Sequence, residues 1–370
     1  MNLMGQIREG MDVVTPPHYE AGMKNWKFSE LLVDPEVRHR WEKVKKYFSL
    51  RESSYDMTNR CNIKCQGCYF YEGVKQFAQE NGQPEAWRSL MQEEKSRGIT
   101  YVVLAGAEPS LVPELLDVCY SEIPLGSIAT NGLHRISEAV GYKLHVSVWG
   151  NDETSRDVRG AKNMLPRQME NYRGDARVVF VYTFTRHNID EVYEVMDIIA
   201  ANDCRITFNV FSSPIGYTGS LRHDLASLGR LRSVMLDLLF RYPDHVLYSP
   251  YNAAAHTDQD ALHKLYGCLY PRRNPSTDIG LGRSFRQYHA DLTWDRAMAC
   301  CVPDTDCDDC RHYAAGSAIV TARLHRHAVD PNSFKSWLDY MDTYLAVWVM
   351  GYENGNNLCH EAFDPPRKLG

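Results

Sequence analysis

Six short apolar runs, most of them followed by a segment of helical periodicity, set the strongest limit on what this chain can fold into. The runs are Ser53–Thr58, Thr100–Ala105, Gly126–Thr130, Lys143–Val148, Arg177–Phe184 and Arg205–Phe211. Between them, helical patterns stand near Glu85–Arg97, Val112–Tyr120, Leu133–Val140, Ala161–Tyr172 and Ile189–Asn202. Strand–helix alternation of this kind builds parallel βαβ units. Six units make an open sheet or an incomplete barrel, since a closed eight-unit barrel needs two more strands. The expected architecture is α/β: a partial (β/α)6 TIM-like barrel with a small C-terminal cysteine-rich extension.

Four regions follow from this pattern. Residues 1–50 form an N-terminal extension with a helix over Pro35–Phe48, and residues 51–244 the barrel core, with a long helix over Ser220–Arg241. Residues 245–330, rich in Pro, Gly and Asp in their middle, read as a separate cysteine-bearing module, with a hairpin over Phe285–Ala299. Residues 331–370 form a closing helix, Pro331–Tyr352, and a tail. With 370 residues, 44% of them hydrophobic, the chain can bury a sizeable core. A net charge of −6 without a long basic run points away from nucleic acid and membrane surfaces. Met1–Tyr19 lacks the apolar core of a signal peptide. The most apolar C-terminal stretch, Tyr344–Met350, is too short to span a bilayer. The expected location is the cytoplasm.

Eleven cysteines are many for a reducing compartment, and they cluster. Cys61, Cys65 and Cys68 follow the first strand with spacing C-x3-C-x2-C; Cys300, Cys301, Cys307 and Cys310 lie together near the C-terminus. Clustered thiols in a reduced protein point to metal or cluster ligation. Three thiolates from one loop can bind three irons of a cubane and leave the fourth iron open. The competing reading is a zinc loop, but no second ligand pair lies near this one in sequence.

The segment Cys61-Asn-Ile-Lys-Cys65-Gln-Gly-Cys68 resembles the signature of the radical S-adenosylmethionine (radical SAM) superfamily, and the resemblance extends over about Ser53–Phe211. It implies a [4Fe–4S] cluster on Cys61, Cys65 and Cys68, and chelation of the methionyl amine and carboxylate by the open iron. It also implies one-electron cleavage of S-adenosylmethionine to a 5′-deoxyadenosyl radical that abstracts hydrogen from a substrate. The residue before the third cysteine, often aromatic in relatives, is Gly67 here, so Tyr69 or Phe70 is the candidate adenine contact.

Further motifs recur at strand ends, where barrel folds place their sites. Ala105-Gly106-Ala107-Glu108-Pro109 resembles the family's Gly-Gly-Glu-Pro turn, and Thr130-Asn131-Gly132 its Thr-Asn-Gly turn. By the same resemblance Ser147 and Arg159 face the methionyl carboxylate, which a guanidinium suits by paired hydrogen bonds, and Asn209 or Ser212 reaches the ribose. The run Cys301-x5-Cys307-x2-Cys310, with Cys268 upstream, resembles the twitch/SPASM-like extensions that hold an auxiliary [4Fe–4S] cluster. A zinc knot with His312 and free thiols are the alternatives, and Cys359 is a further candidate ligand.

Cys300 is a candidate hydrogen-atom donor. Cys119 and Cys204 read as small buried hydrophobes, and His145, mid-strand, as a packed core histidine. The implied activity is hydrogen abstraction from a small molecule (a sugar, nucleoside or amino-acid derivative) in natural-product biosynthesis, with a flavodoxin- or ferredoxin-type electron donor. The outcome could be epimerisation, decarboxylation, oxidation or adenosyl transfer. Modification of a ribosomal peptide is the alternative within the superfamily. A non-enzymatic Fe–S electron-transfer or zinc-binding protein is the alternative outside it.

Overall fold

The computed structural model describes residues 26–47, 50–72, 79–270, 272–273, 285–296, 299–300, 302 and 304–352. Cys301 and Cys359 lie outside the described residues. Seven strands form one sheet: β1 Glu52–Asp56, β2 Tyr101–Ala105, β3 Gly126–Thr130, β4 Lys143–Val148, β5 Val178–Phe184, β6 Ile206–Val210 and β7 Gln287–Tyr288. Their order is β6-β5-β4-β3-β2-β1-β7, and all pairs are parallel. The fold is the expected partial barrel, extended by one strand. β7 arrives at the far side of β1 from the sixth unit, pairing Ser54 with Gln287 and Tyr55 with Tyr288. The expected hairpin survives as a tight return in which Tyr288 bridges Trp294, with Leu292 in a left-handed conformation.

A strand's side chains alternate between two faces, and here the faces differ in kind. Tyr55, Leu104, Ile128, Val146, Phe180, Tyr182 and Phe208 point outward into one apolar core with the helices. Ser54, Ala105, Ser127, Ala129, Ser147, Thr183 and Asn209 line the lumen. Large residues outside and small or polar ones inside leave an inner cavity.

The helices around the sheet are α1 Pro35–Lys45, α2 Pro84–Ser96, α3 Pro113–Glu122, α4 Asp152–Arg159, α5 Met164–Tyr172, α6 Val192–Ala201 and α7 Leu225–Arg241. Beyond them lie α8 Pro250–His256, α9 Leu262–Tyr266, α10 Tyr313–Thr321 and α11 Pro331–Trp348. α4 is capped by Asn151, whose side chain accepts from the amides of Glu153 and Thr154, and it ends at Gly160 in a left-handed turn.

The expected helix over Leu133–Val140 does not form. Its backbone carbonyls have other partners: Arg177 donates to the oxygens of Ile136 (3.2 Å), Ser137 (2.7 Å) and Val140 (2.6 Å). Tyr172 accepts from the Ile136 amide and donates to the His134 carbonyl. The apolar spacing of Leu133, Ile136 and Val140 thus belongs to a surface loop that buries these three side chains.

β7 is fastened to β1 through a buried carboxylate. Glu94 of α2 is wholly buried and accepts from Tyr55 and Tyr288 (both 2.9 Å) and from two nitrogens of Arg97 (2.7 and 2.8 Å). Burial opposes its charge, but the Arg97 fork and the hydroxyls outweigh it and hold the carboxyl below its usual range. The Tyr55 and Tyr288 rings stack 5.2 Å apart and 5° from parallel.

α11 closes the lumen from below. Asp330 caps its start and Pro331 occupies its first position. The last carbonyls of a helix lack intrahelical donors; here the barrel supplies them. His145 Nε2 donates to the Val347 carbonyl (2.9 Å) and the Tyr101 hydroxyl to that of Trp348 (2.7 Å). The carbonyl can only accept, so His145 carries its proton on Nε2, and Nδ1 accepts from Tyr313 (2.8 Å). His145 is a satisfied core histidine. Burial pushes its pKa down to about 3, from an ordinary value near 6.5.

Unfolded, this histidine binds a proton that the folded chain refuses. Its contribution to stability is therefore full above pH 6.5 and declines as pH falls toward 3. Thermal unfolding of the wild type should lose more stability between pH 7 and pH 5 than that of His145→Gln. Parallel curves would show that this histidine titrates normally in the folded protein.

Candidate functional site

The first cysteine loop leaves the C-terminal end of β1 and is pinned from every side. Glu80 accepts from the Thr58 hydroxyl and the Asn59 amide, the Glu108 amide donates to the Arg60 carbonyl, and Glu72 accepts from the Gly67 amide. The end of α4 meets the loop directly. The Gln66 amide donates to the Val158 carbonyl (2.7 Å), and its side chain donates to that of Asp157 (2.8 Å).

Cys61, Cys65 and Cys68 are thereby held as neighbours, half-buried, none in a disulfide. Burial, and then the adjoining Cys65, pushes Cys68 up to about 11; burial also raises Cys61. Asn131 donates to Cys61 Sγ at 3.7 Å and to the Asn62 side chain at 2.6 Å. Three soft donors in one fixed loop, with an amide N–H on one sulfur, form a donor set suited to an iron–sulfur cluster. Among the described residues no three His, Cys, Asp or Glu side chains meet the geometry for a single metal ion.

Glu108 acts as an internal strut. Its carboxylate is buried and accepts from Ser110 N (3.0 Å), Thr130 Oγ1 (2.6 Å) and Asn131 N (2.7 Å), so it ties the β2 turn to the β3 turn. Gly106, at φ +78°, brings the turn so close to β1 that an added Cβ would lie 2.3 Å from Asp56 Cα. Ala107 follows it at the same strand end. Gln168, which sequence reasoning missed, donates to the carbonyls of Asn131 (2.7 Å) and Ser147 (2.9 Å) and joins β3 to β4.

Arg159 is buried, with 4% of its surface exposed. One Nη donates to the Ser147 carbonyl (2.5 Å), its guanidinium lies 5.9 Å from the Trp149 ring centroid, and its buried Nε has no hydrogen-bond partner among the described residues. A buried guanidinium with an unused donor calls for an acceptor from a ligand. Ser147 Oγ lines the cavity and accepts from Trp149 Nε1 (3.1 Å).

The other candidates divide. Tyr69 lines the cavity, whereas Phe70 is buried and packs edge-on against Tyr71. Asn209 and Ser212 line the cavity but already serve the segment that roofs it: Asn209 Oδ1 accepts from Tyr313 N (3.1 Å) and Ser212 Oγ from Arg311 N (2.8 Å). An aromatic residue does stand where the family's loop aromatic is missing. Phe211, at the end of β6, comes within 2.6 Å of where a Cβ on Gly67 would be, and packs edge-on against Trp149 and Tyr217.

Cys268, Cys300, Cys307 and Cys310 form the second group. Each lies within electrostatic reach of at least two others, and burial raises all three whose shifts are resolved, Cys268 to about 12. Arg272 and Arg273 lie close enough to Cys307 to offset part of a thiolate's charge. Cys300 stands with these thiols. Cys119 and Cys204 are buried in the main core.

Between the two cysteine groups runs a cavity of about 220 Å³, lined from Asp56 and Tyr69 near the first cysteine loop to Glu52, Tyr270 and Tyr344. Glu52 retains some accessible surface, but that surface faces the cavity; burial pushes its carboxyl up to about 7.

No family model matches the chain. Over 159 residues it is 25% identical to the Fe-coproporphyrin III synthase of Methanosarcina barkeri, a match spanning 39% of this chain and 40% of that protein. In structure it is similar to Streptococcus suis SuiB bound to precursor peptide SuiA, at 16% identity and TM-score 0.48 over 81% of this chain and 70% of that one. It is also similar to anSMEcpe with bound AdoMet, at 13% identity and TM-score 0.47 over 80% and 96%. The C-x3-C-x2-C loop at the end of β1 in a parallel partial barrel, braced by the Glu108 and Asn131 turns, is the arrangement that the resemblance to the radical SAM superfamily implies.

Removing the strut should expose its value. Glu108→Leu strands two amides and a hydroxyl inside the protein and should cost about 3 kcal/mol in urea unfolding. A variant as stable as wild type would mean that the carboxylate does not fix the two turns.

Proposed function

We propose that the chain cleaves S-adenosylmethionine reductively and directs the resulting radical at a small molecule held in the lumen. The observation that carries this reading is the union at one strand-end surface of three neighbouring thiols with Arg159, whose buried Nε has no hydrogen-bond partner among the described residues. When bound at Cys61, Cys65 and Cys68, a [4Fe–4S] cluster supplies the electron that breaks the sulfonium bond.

The chain's own residues do the rest. Arg159 holds the methionyl carboxylate, and Ser147 supports it from β4. The close-set backbone at Gly106 and Ala107 meets the methionyl amine. Phe211, Trp149 and Tyr69 wall the adenine, and Asn131 orients the Cys61 sulfur. Asn209 and Ser212 act by holding the roof. The four thiols of Cys268, Cys300, Cys307 and Cys310 fit an auxiliary cluster, with Cys301 the remaining candidate ligand. A lumen of about 220 Å³ suits a small metabolite and limits the water that reaches a reactive radical. The reductant is a flavodoxin- or ferredoxin-type donor. No helix among the described residues is long and apolar enough to cross a membrane.

Incubating reconstituted protein with S-adenosylmethionine and dithionite should release 5′-deoxyadenosine. Alanine at Cys61, Cys65 or Cys68 should abolish it, and cleavage at the wild-type rate by any of the three would refute the assignment. Arg159→Leu should raise the KM for S-adenosylmethionine by about tenfold, the worth of one charge-assisted contact. Iron analysis should find about eight irons in wild type and about four in the Cys61/Cys65/Cys68 triple alanine variant, as two cubanes require. About four and almost none would leave the C-terminal thiols without a cluster.

A further inference from the structure

We infer that the floor of the lumen is a binding subsite for an ammonium group, so that the substrate is an amine-bearing small molecule. This rests on the lumen being the substrate chamber proposed above. Three observations converge on it.

The first is charge. Among the described residues lining the cavity, the carboxylates are Glu52 and Asp56, and there is no Lys or Arg. A phosphate or carboxylate entering this space would meet only like charge, whereas a cation would be drawn inward. Among the described residues Glu52 has no ion pair; it accepts from the Tyr270 hydroxyl at 3.3 Å.

The second is an unused acceptor. Gln287 of β7 sits opposite Ser54 in the parallel register, one step along the lumen wall from Glu52. It is 2% exposed. Gln287 lines the cavity; its Nε2 donates to the Tyr288 carbonyl (3.2 Å), which leaves Oε1 buried and without a donor among the described residues. A buried amide oxygen left bare is costly unless a ligand supplies the hydrogen. An ammonium has three to give.

The third is the aromatic wall. Tyr270, Phe285 and Tyr344 line the same end of the cavity. Tyr270 and Phe285 meet edge to face at 4.9 Å. Burial, and then the nearby Glu52 charge, keeps the Tyr344 phenol protonated. Aromatic faces beside a carboxylate stabilise an alkylammonium by cation–π attraction. A strand rise of about 3.3 Å per residue sets Glu52 some 13 Å below Asp56. The amine is thus anchored at the end of the lumen away from the cysteine loop, and the reacting carbon lies nearer that loop.

The test uses anaerobically reconstituted protein and three matched probes: benzylamine, benzyl alcohol and benzoate. Calorimetric titration at about pH 8 keeps Glu52 ionised and the amine protonated. Benzylamine should bind about tenfold more tightly than benzyl alcohol, a preference typical of one charge-assisted bond, and benzoate should not saturate. Glu52→Gln should erase the preference for the amine. Should that variant misfold by circular dichroism, Gln287→Leu provides the second arm, weakening benzylamine about threefold while leaving benzyl alcohol unchanged. Equal binding of amine and alcohol by wild type, or a preference that survives the substitutions, overturns the subsite. The 5′-deoxyadenosine assay on the same preparation keeps the two readings apart. Cleavage without amine preference overturns the floor alone; amine preference without cleavage overturns the radical chemistry alone.

Discussion

A parallel strand buried on both faces has to satisfy two environments at once, and every feature of this protein depends on how its strands divide that task. Outward positions carry Tyr, Phe, Leu, Ile and Val and build the core against the helices. Many inward positions carry Ser, Thr, Ala and Asn, too small to fill the middle. The hollow that results is a consequence of side-chain volume, since inward leucines at the same positions would have packed a solid barrel. The lumen then needs a floor and a roof. α11 provides the floor, its last carbonyls held by His145 and Tyr101 from inside the barrel. The segment from Val302 to Tyr313 provides the roof, tied to the end of β6 through Ser212, Ser213 and Asn209.

This arrangement makes the C-terminal third part of the chamber. Cys307 and Cys310 sit in the roofing segment, and Cys268 lies just past α9. A metal centre joining these thiols would therefore hold the roof to the wall. The first cysteine loop is preformed by its contacts to Glu80, Glu72 and the end of α4, whereas the second group draws together segments far apart in sequence.

Much of this was legible in the sequence because period-two patterning and strand–helix alternation are local signals. All six long strands fall within two residues of where the pattern puts them. The failures have physical causes. β7 has two residues, too few to show a period, and its Tyr288 is held by Glu94 and Tyr55 from distant segments. Leu133–Val140 carries a helical spacing, but Arg177 takes the carbonyls that a helix would use. α4 was overlooked because Asp152–Arg159 is almost entirely polar and lies under the cysteine loop, where caps rather than an apolar stripe define it. Phe211, Gln168 and Glu52 belong to no motif, so their place beside the cavity emerges only once the strands are set side by side.

The missing aromatic in the cysteine loop has a wider meaning. Gly67 sits at φ +66°, and the Phe211 ring fills the space its side chain would need. An aromatic at position 67 would collide with Phe211 and force the loop out of its left-handed turn; a small residue at position 211 alone would leave a hole behind the cysteines. The two positions are therefore coupled: an aromatic at position 67 needs both a smaller residue at position 211 and a rebuilt turn, so the loop and the sixth strand constrain each other's evolution.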